Sequence, residues 1–182
     1  MIVIGGGITN ASKTHVGVFD NMMIANWPNW EYLAPTTLNE MKSMLEWAVK
    51  QRKHPVAIKS PVNPISEGSP INEDYSTIKY DVKLGSKVAI IGVGDFYQLG
   101  EKVRKLLKKH DINASLINPK SVAHLDTKTL TSLMTDHELV VTLEDNTLED
   151  GFGEKIASYY GPTKMKVKNY GEKREYTDNE SV

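Results

Sequence analysis

Residues 88–107, VAIIGVGDFYQLGEKVRKLL, decide the fold of this chain. The apolar run Val88–Ile91 is typical of a buried strand, and Gly92-Val93-Gly94 follows it as a turn. Apolar residues then recur at helical spacing, which predicts a helix with one apolar face. The positions on that face are Leu99, Val103, Leu106 and Leu107. A strand that leads through glycines into an amphipathic helix is the opening unit of an α/β domain.

The same alternation continues to the end of the chain. It predicts strands at Ala114–Ile117, Leu139–Leu143 and Met165–Val167, with helices around Leu130 and from Phe152 to Tyr160. Strands that alternate with helices of about ten residues favour a doubly wound, mostly parallel sheet.

The first third of the chain has a related pattern. The pattern predicts a buried strand at residues 1–4, a short strand at Glu31–Pro35 and a third strand at Val56–Ile58. Thr37 stands three residues before Glu40, which predicts a capping box at the start of a helix. The neighbour of the first strand must come from later in this chain or from another chain.

A change of composition separates these two regions. Prolines, serines and a glycine accumulate between Pro61 and about Tyr80, with little periodicity. We therefore expect an extended linker at residues 63–80, since proline restricts the backbone.

Composition excludes several classes of function. The 182 residues carry a formal net charge of −1 and no cysteine, which excludes disulfides, thiolate nucleophiles and cysteine zinc sites. This cysteine usage fits a reducing cytoplasm. No apolar run approaches the ~20 residues that span a bilayer. The basic run between Lys102 and Lys109 complements the end of its helix as a solvated face, so we expect neither nucleic acid nor membrane as a partner.

The turn Gly92-Val93-Gly94 also invites a dinucleotide-binding interpretation. That fingerprint requires a third glycine where Tyr97 stands, and an acid at the end of the second strand, where Asn118 stands. The residues therefore favour a plain tight turn in an α/β domain.

Among the candidate catalytic groups, His15 is distinguished by its place in a polar loop that follows a strand and three glycines. Such loops carry ligands and catalytic groups in α/β proteins, and imidazole exchanges protons near neutral pH. The remaining histidines are predicted to be structural or exposed, and no pair of histidines has metal-binding spacing. For Glu144-Asp145 at a strand end, capping is favoured over general-base catalysis.

The segment Thr14-His15-Val16-Gly17-Val18-Phe19-Asp20 resembles the threonine-histidine-x-glycine-x-phenylalanine-aspartate segment of the 1-deoxy-D-xylulose-5-phosphate synthase family. Further similarity follows in the family's order along almost the whole chain. It includes Tyr32-Leu33-Ala34-Pro35-Thr36, His54–Ile58, Gly92–Gly100, Leu116–Pro119, Val141–Asn146 and Gly151–Ala157. The resemblance implies half of a pyrimidine-binding domain at residues 1–62, and a transketolase C-terminal domain at residues 81–182.

Members of that family condense pyruvate with glyceraldehyde 3-phosphate, with thiamine diphosphate and magnesium, to begin isoprenoid precursor synthesis. The resemblance implies that His15 is the active-site histidine, which holds polar groups of the substrate and assists proton transfer. It also implies that the diphosphate- and magnesium-binding motif and the activating glutamate belong to a region before residue 1. We therefore expect this chain alone to bind no cofactor and to be inactive.

Two positions depart from the family pattern. An expected aspartate before His15 is replaced by Ala11 or Ser12, and an expected phosphate-binding arginine is replaced by Val62. Lys59 keeps a positive charge nearby and is the candidate substrate-binding residue. The resemblance implies a homodimer, with a separate N-terminal companion chain as a further candidate partner. The absence of cysteine fits the expected cytoplasmic location. The alternative is a non-catalytic remnant that mediates dimerisation or binds a partner.

Overall fold

The computed structural model describes residues 1–4, 17–61 and 64–175, which form two sheets flanked by helices. The first sheet is parallel, with strands in the order β1-β3-β2. Its strands are β1 (Ile2–Val3), β2 (Glu31–Leu33) and β3 (Val56–Lys59), with helices α1 (Asp20–Ile24) and α2 (Leu38–Lys50) between them. The N-terminal strand therefore pairs with a later part of the same chain, which is one of the two arrangements expected from the sequence.

The second sheet has five strands in the order β4-β6-β5-β7-β8. Only β4 runs antiparallel to its neighbour, so the predicted α/β class with a mostly parallel sheet is confirmed. The strands are β4 (Asp81–Lys83), β5 (Lys87–Gly92), β6 (Ser115–Asn118), β7 (His137–Thr147) and β8 (Lys166–Glu172). The helices are α3 (Phe96–Lys108), α4 (Thr127–Leu133) and α5 (Phe152–Tyr160).

The structure corrects the predicted apolar face of α3. Leu99 and Leu106 are exposed, whereas Val103 and Leu107 pack against the second sheet together with Phe96 and Tyr97. The helix is therefore rotated so that Gly100, rather than Leu99, faces the strands: a Cβ on Gly100 would lie 2.8 Å from Leu116 Cδ1. The apolar face of α3 differs from the predicted one because the helix lies closest to the sheet at Gly100, which has no side chain.

One apolar core joins the two sheets. Tyr32 and Ala57 of the first sheet belong to a buried cluster that also contains residues of the second sheet and of helix α5. These are Ile91, Ile117 and Phe152. A smaller cluster packs α2 against β2 and β3, and Tyr75 from the connecting segment is buried in it. Residues 64–80, the described part of the expected linker, contain no helix or strand, and they pack along the first sheet.

The outer strand β8 has a charged edge. Lys166, Lys168 and Tyr170 alternate on its exposed side, and the Lys168 ammonium lies 5.6 Å from the centre of the Tyr170 ring. At the opposite edge, β4 is three residues long, and Asp81 and Lys83 are exposed there. Among the described residues, no helix is long and apolar enough to cross a membrane.

Candidate functional site

The carboxyl ends of the two parallel sheets meet at a buried ion pair. Lys59, the last residue of β3, donates from Nζ to Asp145 Oδ1 at 2.6 Å and to Asn146 Oδ1 at 2.7 Å, both on β7. The side chains of Lys59 and Asp145 are 3% and 2% exposed. Carboxyl ends of parallel strands are where α/β proteins place ligands, so this is the candidate site of the chain. We call Lys59, Asp145, Asn146, Asp20 and Tyr32 the Lys59 cluster.

The Lys59 cluster holds more negative than positive charge. Burial raises the pKa of Asp145, and the Lys59 ammonium opposes that shift. Burial also raises the pKa of Asp20, the first residue of α1. The Lys59 ammonium opposes that shift, and the Asp145 carboxyl adds to it. The Tyr32 hydroxyl is fully buried and has no hydrogen-bond partner in the described part of the chain. Burial raises the pKa of this phenol far above its ordinary value, and the carboxyls of Asp20 and Asp145 add to the shift.

Asn146 connects the cluster to the segment that follows His15 in sequence. Its Nδ2 donates to the Gly17 carbonyl at 2.8 Å, and the next backbone amide, Thr147, donates to the Val18 carbonyl at 2.9 Å. Val18 is itself fully buried. Strand β7 therefore binds two consecutive backbone carbonyls, those of Gly17 and Val18, just before α1.

The two predicted site residues have different outcomes. His15 lies outside the described residues, as do Ala11, Ser12 and Val62, so its catalytic role stays a prediction. Lys59 is brought to the candidate site, but its described partners are Asp145 and Asn146. Its role in substrate binding likewise stays a prediction.

The neighbouring carboxylate Glu144 caps helix α5, as the sequence analysis favoured. Glu144 Oε1 accepts from the Gly153 amide at 2.7 Å, and Oε2 accepts from the Phe152 amide at 3.0 Å. Oε2 also accepts from Asn21 Nδ2 at 3.0 Å. The carboxylate thus satisfies helix amides that have no partner within the helix, and it ties α1 to α5.

A second polar contact joins the sheets at the start of α2. The predicted cap is present, because the Glu40 amide donates to Thr37 Oγ1 at 3.2 Å. The Glu40 carboxylate, however, accepts from the Thr36 amide at 2.7 Å and from Asn118 Nδ2 at 2.8 Å. The sequence analysis considered Asn118 only as a departure from the dinucleotide-binding fingerprint. In the structure it joins β6 to α2 through Glu40, and no local signal could have shown this.

The glycine turn after β5 leads directly into helix α3. A Cβ on Gly92 would lie 2.5 Å from Tyr97 Cα, and Gly94 has a φ of +56°. Both features are those of a tight strand-to-helix turn, which agrees with the favoured interpretation of this motif.

Two of the other described histidines make structural contacts. His137 is buried, with its ring nitrogens bonded to Ser115 Oγ and the Leu133 carbonyl. His124 lies 3.5 Å from Glu31 at the rim of the first sheet. Within residues 1–4, 17–61 and 64–175, no group of three His, Cys, Asp or Glu side chains could hold a metal ion.

Comparison with known proteins identifies relatives of this arrangement. The family described as transketolase, C-terminal domain matches residues 76–171. A 1-deoxy-D-xylulose-5-phosphate synthase from Clostridium tetani (strain Massachusetts / E88) is 30% identical over 180 residues, which cover 97% of this chain and 29% of the relative. A protein with the same name from Clostridium acetobutylicum is 32% identical over 182 residues, with the same two coverages. The chain thus spans less than a third of the length of these relatives.

Solved structures share the fold. A split gene transketolase, described as an inactive beta4 tetramer, superposes with a TM-score of 0.84 at 20% identity and covers 94% of this chain and 56% of that one. A transketolase from Pichia stipitis in complex with sedoheptulose 7-phosphate superposes with a TM-score of 0.69 at 16% identity, over 95% of this chain and 25% of that one.

Proposed function

The chain belongs to the transketolase C-terminal domain family, and from this premise we propose that it serves as the C-terminal portion of a 1-deoxy-D-xylulose-5-phosphate synthase. The observation that carries the proposal is the match to curated synthases over 97% of the chain. The proposed reaction is the thiamine-diphosphate-dependent condensation of pyruvate with glyceraldehyde 3-phosphate, in the isoprenoid precursor pathway. We propose a cytoplasmic location for it.

In this proposal the isolated chain is inactive. The match covers 29% of the relatives' length, and the buried carboxylates Asp145 and Glu144 are bonded to Lys59, Asn21 and helix amides. Thiamine diphosphate supplies the nucleophilic carbon of this chemistry when it is bound. Its diphosphate and magnesium would be held by the remainder of the enzyme, whether that is further sequence or a separate N-terminal companion chain.

His15 is the residue of this chain that acts on the substrate in the proposed reaction. An imidazole can donate to a carbonyl or hydroxyl oxygen and can exchange a proton near neutral pH. It stands two residues before Gly17, whose carbonyl is held by Asn146. Lys59 contributes positive charge to the same edge of the sheet, 2.6 Å from Asp145.

Calorimetry tests the division of the cofactor site. The chain alone, titrated with thiamine diphosphate and Mg²⁺, should give no binding heat, because in this proposal the remainder of the enzyme holds the diphosphate and the magnesium. Tight binding by the chain alone would show that the cofactor site is contained in these 182 residues and would refute the proposed division.

Complementation tests the activity itself. A companion chain that carries the family's diphosphate motif and activating glutamate should restore condensation of pyruvate with glyceraldehyde 3-phosphate when it is mixed with this chain. His15→Ala should abolish that activity, whereas His110→Ala, an exposed position after α3, should not. Full activity of His15→Ala would remove the role proposed for His15.

The alternative function is a non-catalytic dimerisation or partner-binding remnant. It is supported by the solved split gene transketolase, which is described as an inactive tetramer of one subunit type. We propose that this chain is a homodimer in the absence of a companion, since exposed apolar side chains such as Met1, Ile2 and Ile4 border the first strand. Sedimentation of the chain alone and mixed with the companion separates the two functions, because a remnant would stay a homodimer and acquire no activity.

A further inference from the structure

Asn146 is fully buried and has a single satisfied orientation. A lysine ammonium can only donate, and a backbone carbonyl can only accept. Asn146 must therefore direct Oδ1 toward Lys59 Nζ, at 2.7 Å, and Nδ2 toward the Gly17 carbonyl, at 2.8 Å. Rotating the amide by half a turn would place donor against donor and acceptor against acceptor, so the Lys59 ammonium fixes the direction of the Asn146 side chain.

The resulting series of bonds runs from Asp145 through Lys59 and Asn146 to Gly17. Asp145 Oδ1 holds the ammonium at 2.6 Å, and the ammonium polarises the amide that bonds the Gly17 carbonyl. Bonds to charged groups in a dry interior are stronger than neutral ones, and connected bonds reinforce each other. The Gly17 carbonyl also accepts from the Asp20 amide at 3.2 Å, which closes the turn before α1.

We propose that Lys59 and Asn146 are positioning residues that fix the backbone at Gly17 and Val18 and, through it, the reach of the catalytic group at His15. The inference rests on the proposed function for the role of His15, and on the described contacts for the hold on Gly17. Two residues of chain span at most about 7 Å, so the place of the Gly17 carbonyl limits where a side chain two positions earlier can act.

This assignment differs from direct substrate binding by Lys59. Asp145 and Asn146 use two of the three N–H donors of Lys59, both within 2.7 Å. The side chain is 3% exposed, so a substrate has little access to the third donor. A lysine that acts through Asn146 needs no such access.

Three variants separate the steps of this series. Asn146→Asp keeps the side-chain shape and the acceptor for Lys59, and at a pH where its carboxyl is ionised it cannot donate to Gly17. Lys59→Met removes the group that orients the amide, and Lys59→Arg restores charge and donors. Tyr160→Phe is the matched control, because it removes a buried side-chain donor to the Leu130 carbonyl far from the cluster.

Hydrogen exchange of the 182-residue chain tests the hold on the backbone without any activity. The Asp20 and Thr147 amides, which donate to the Gly17 and Val18 carbonyls, should exchange about 10- to 100-fold faster in Asn146→Asp and Lys59→Met, the range expected from losing a hydrogen bond to a charged network. Lys59→Arg should restore slow exchange, and Tyr160→Phe should leave both amides unchanged. Unchanged exchange in Asn146→Asp would overturn the proposal, even if Lys59→Met failed to fold.

Activity in the complemented enzyme tests the consequence for His15. Misplacement by about 1 Å can cost about 100-fold in rate, so Asn146→Asp should lower kcat by about 10- to 100-fold with little change in KM for glyceraldehyde 3-phosphate. A rise in KM alone would overturn positioning in favour of substrate binding. An inactive wild-type mixture would instead refute the proposed function, and the exchange rates would still decide whether Asn146 holds Gly17.

Discussion

At the scale of single residues, Lys59 and Asp145 are two ionic groups withdrawn from water at the junction of the sheets. Their side chains are 3% and 2% exposed, and their charged atoms are 2.6 Å apart. Removing two ions from water offsets much of their mutual attraction. The pair therefore contributes mainly to the choice of one arrangement of the sheets, because any other arrangement would leave a buried charge without its partner.

This reasoning predicts a non-additive double-mutant cycle. Lys59→Met and Asp145→Leu should each lower the free energy of unfolding by about 3–5 kcal/mol, because each leaves one buried ion unpaired. The double variant should lose less than either single variant, since it replaces both ions with apolar side chains. Urea unfolding of the four proteins measures the cycle. Additive losses would show that the pair is not coupled.

Lys155 predicts a pH dependence of stability. Its Nζ donates to the carbonyls of Ala25, at 3.0 Å, and Val122, at 3.4 Å. Burial lowers the pKa of Lys155 below its ordinary value of 10.5, and the Glu144 carboxylate opposes the shift. Between the folded pKa and 10.5 the unfolded chain binds more protons than the folded one, so stability rises with pH in that window.

Comparison with Lys155→Met isolates this effect, because methionine does not titrate. The free energy of unfolding of the wild type, relative to the variant, should increase as the pH rises from the lowered pKa of Lys155 toward 10.5. Other groups, including the buried tyrosines, cancel in the difference. A difference that stays constant over this range would contradict a lowered pKa at Lys155.

At the scale of single elements, helix α5 has one glycine in its first turn and another just after its last residue. A Cβ on Gly153 would lie 2.6 Å from Thr142 Oγ1, which is held by its bond to Asn169. A Cβ on Gly161 would lie 3.4 Å from its nearest neighbour, but Gly161 has helical φ and ψ before Pro162, a conformation that disfavours a Cβ. Alanine should therefore destabilise the chain at both positions, for different reasons.

Gly153→Ala should destabilise the chain by about 1–3 kcal/mol through overpacking, despite the higher helix propensity of alanine. Gly161→Ala should cost less than Gly153→Ala, because the restriction of the unfolded chain offsets part of the clash between the new Cβ and Pro162. Thermal unfolding of both variants checks the sign of each change. Stabilisation by Gly153→Ala would mean that Thr142 and Asn169 can move apart readily.

Elements with a strong local pattern were predictable, and contacts between distant residues were not. The helix from Phe152 to Tyr160 was predicted with its observed bounds, because an apolar face and the following Gly161-Pro162 mark it locally. The strand β4 was missed, because three residues carry no period and its partner is the distant strand β6. Lys59 and Asp145 are 86 positions apart, so only the folded chain shows that they pair.

At the scale of the whole molecule, the shared core predicts one cooperative unfolding transition. All three tryptophans, Trp27, Trp30 and Trp47, lie in the first third of the chain, whereas helices and strands occur throughout. Tyr32 and Ala57 pack in the same cluster as Ile91 and Phe152, so the first sheet cannot separate without exposing apolar surface of the second.

Tryptophan fluorescence and far-ultraviolet circular dichroism should therefore give the same urea midpoint. Lys59→Met should move both midpoints together, since it acts at the junction. Two separate midpoints, with fluorescence changing first, would show that the region of the first sheet unfolds independently.

The charged outer strand β8 has a consequence for the behaviour of the protein in concentrated solution. An uncovered strand edge can recruit the edge of another molecule and extend into a fibre. Here Lys166 and Lys168 would bring like charges together along any such junction, and the three-residue β4 offers too short a template at the other side. Growth by sheet extension is thus disfavoured at both margins of the larger sheet.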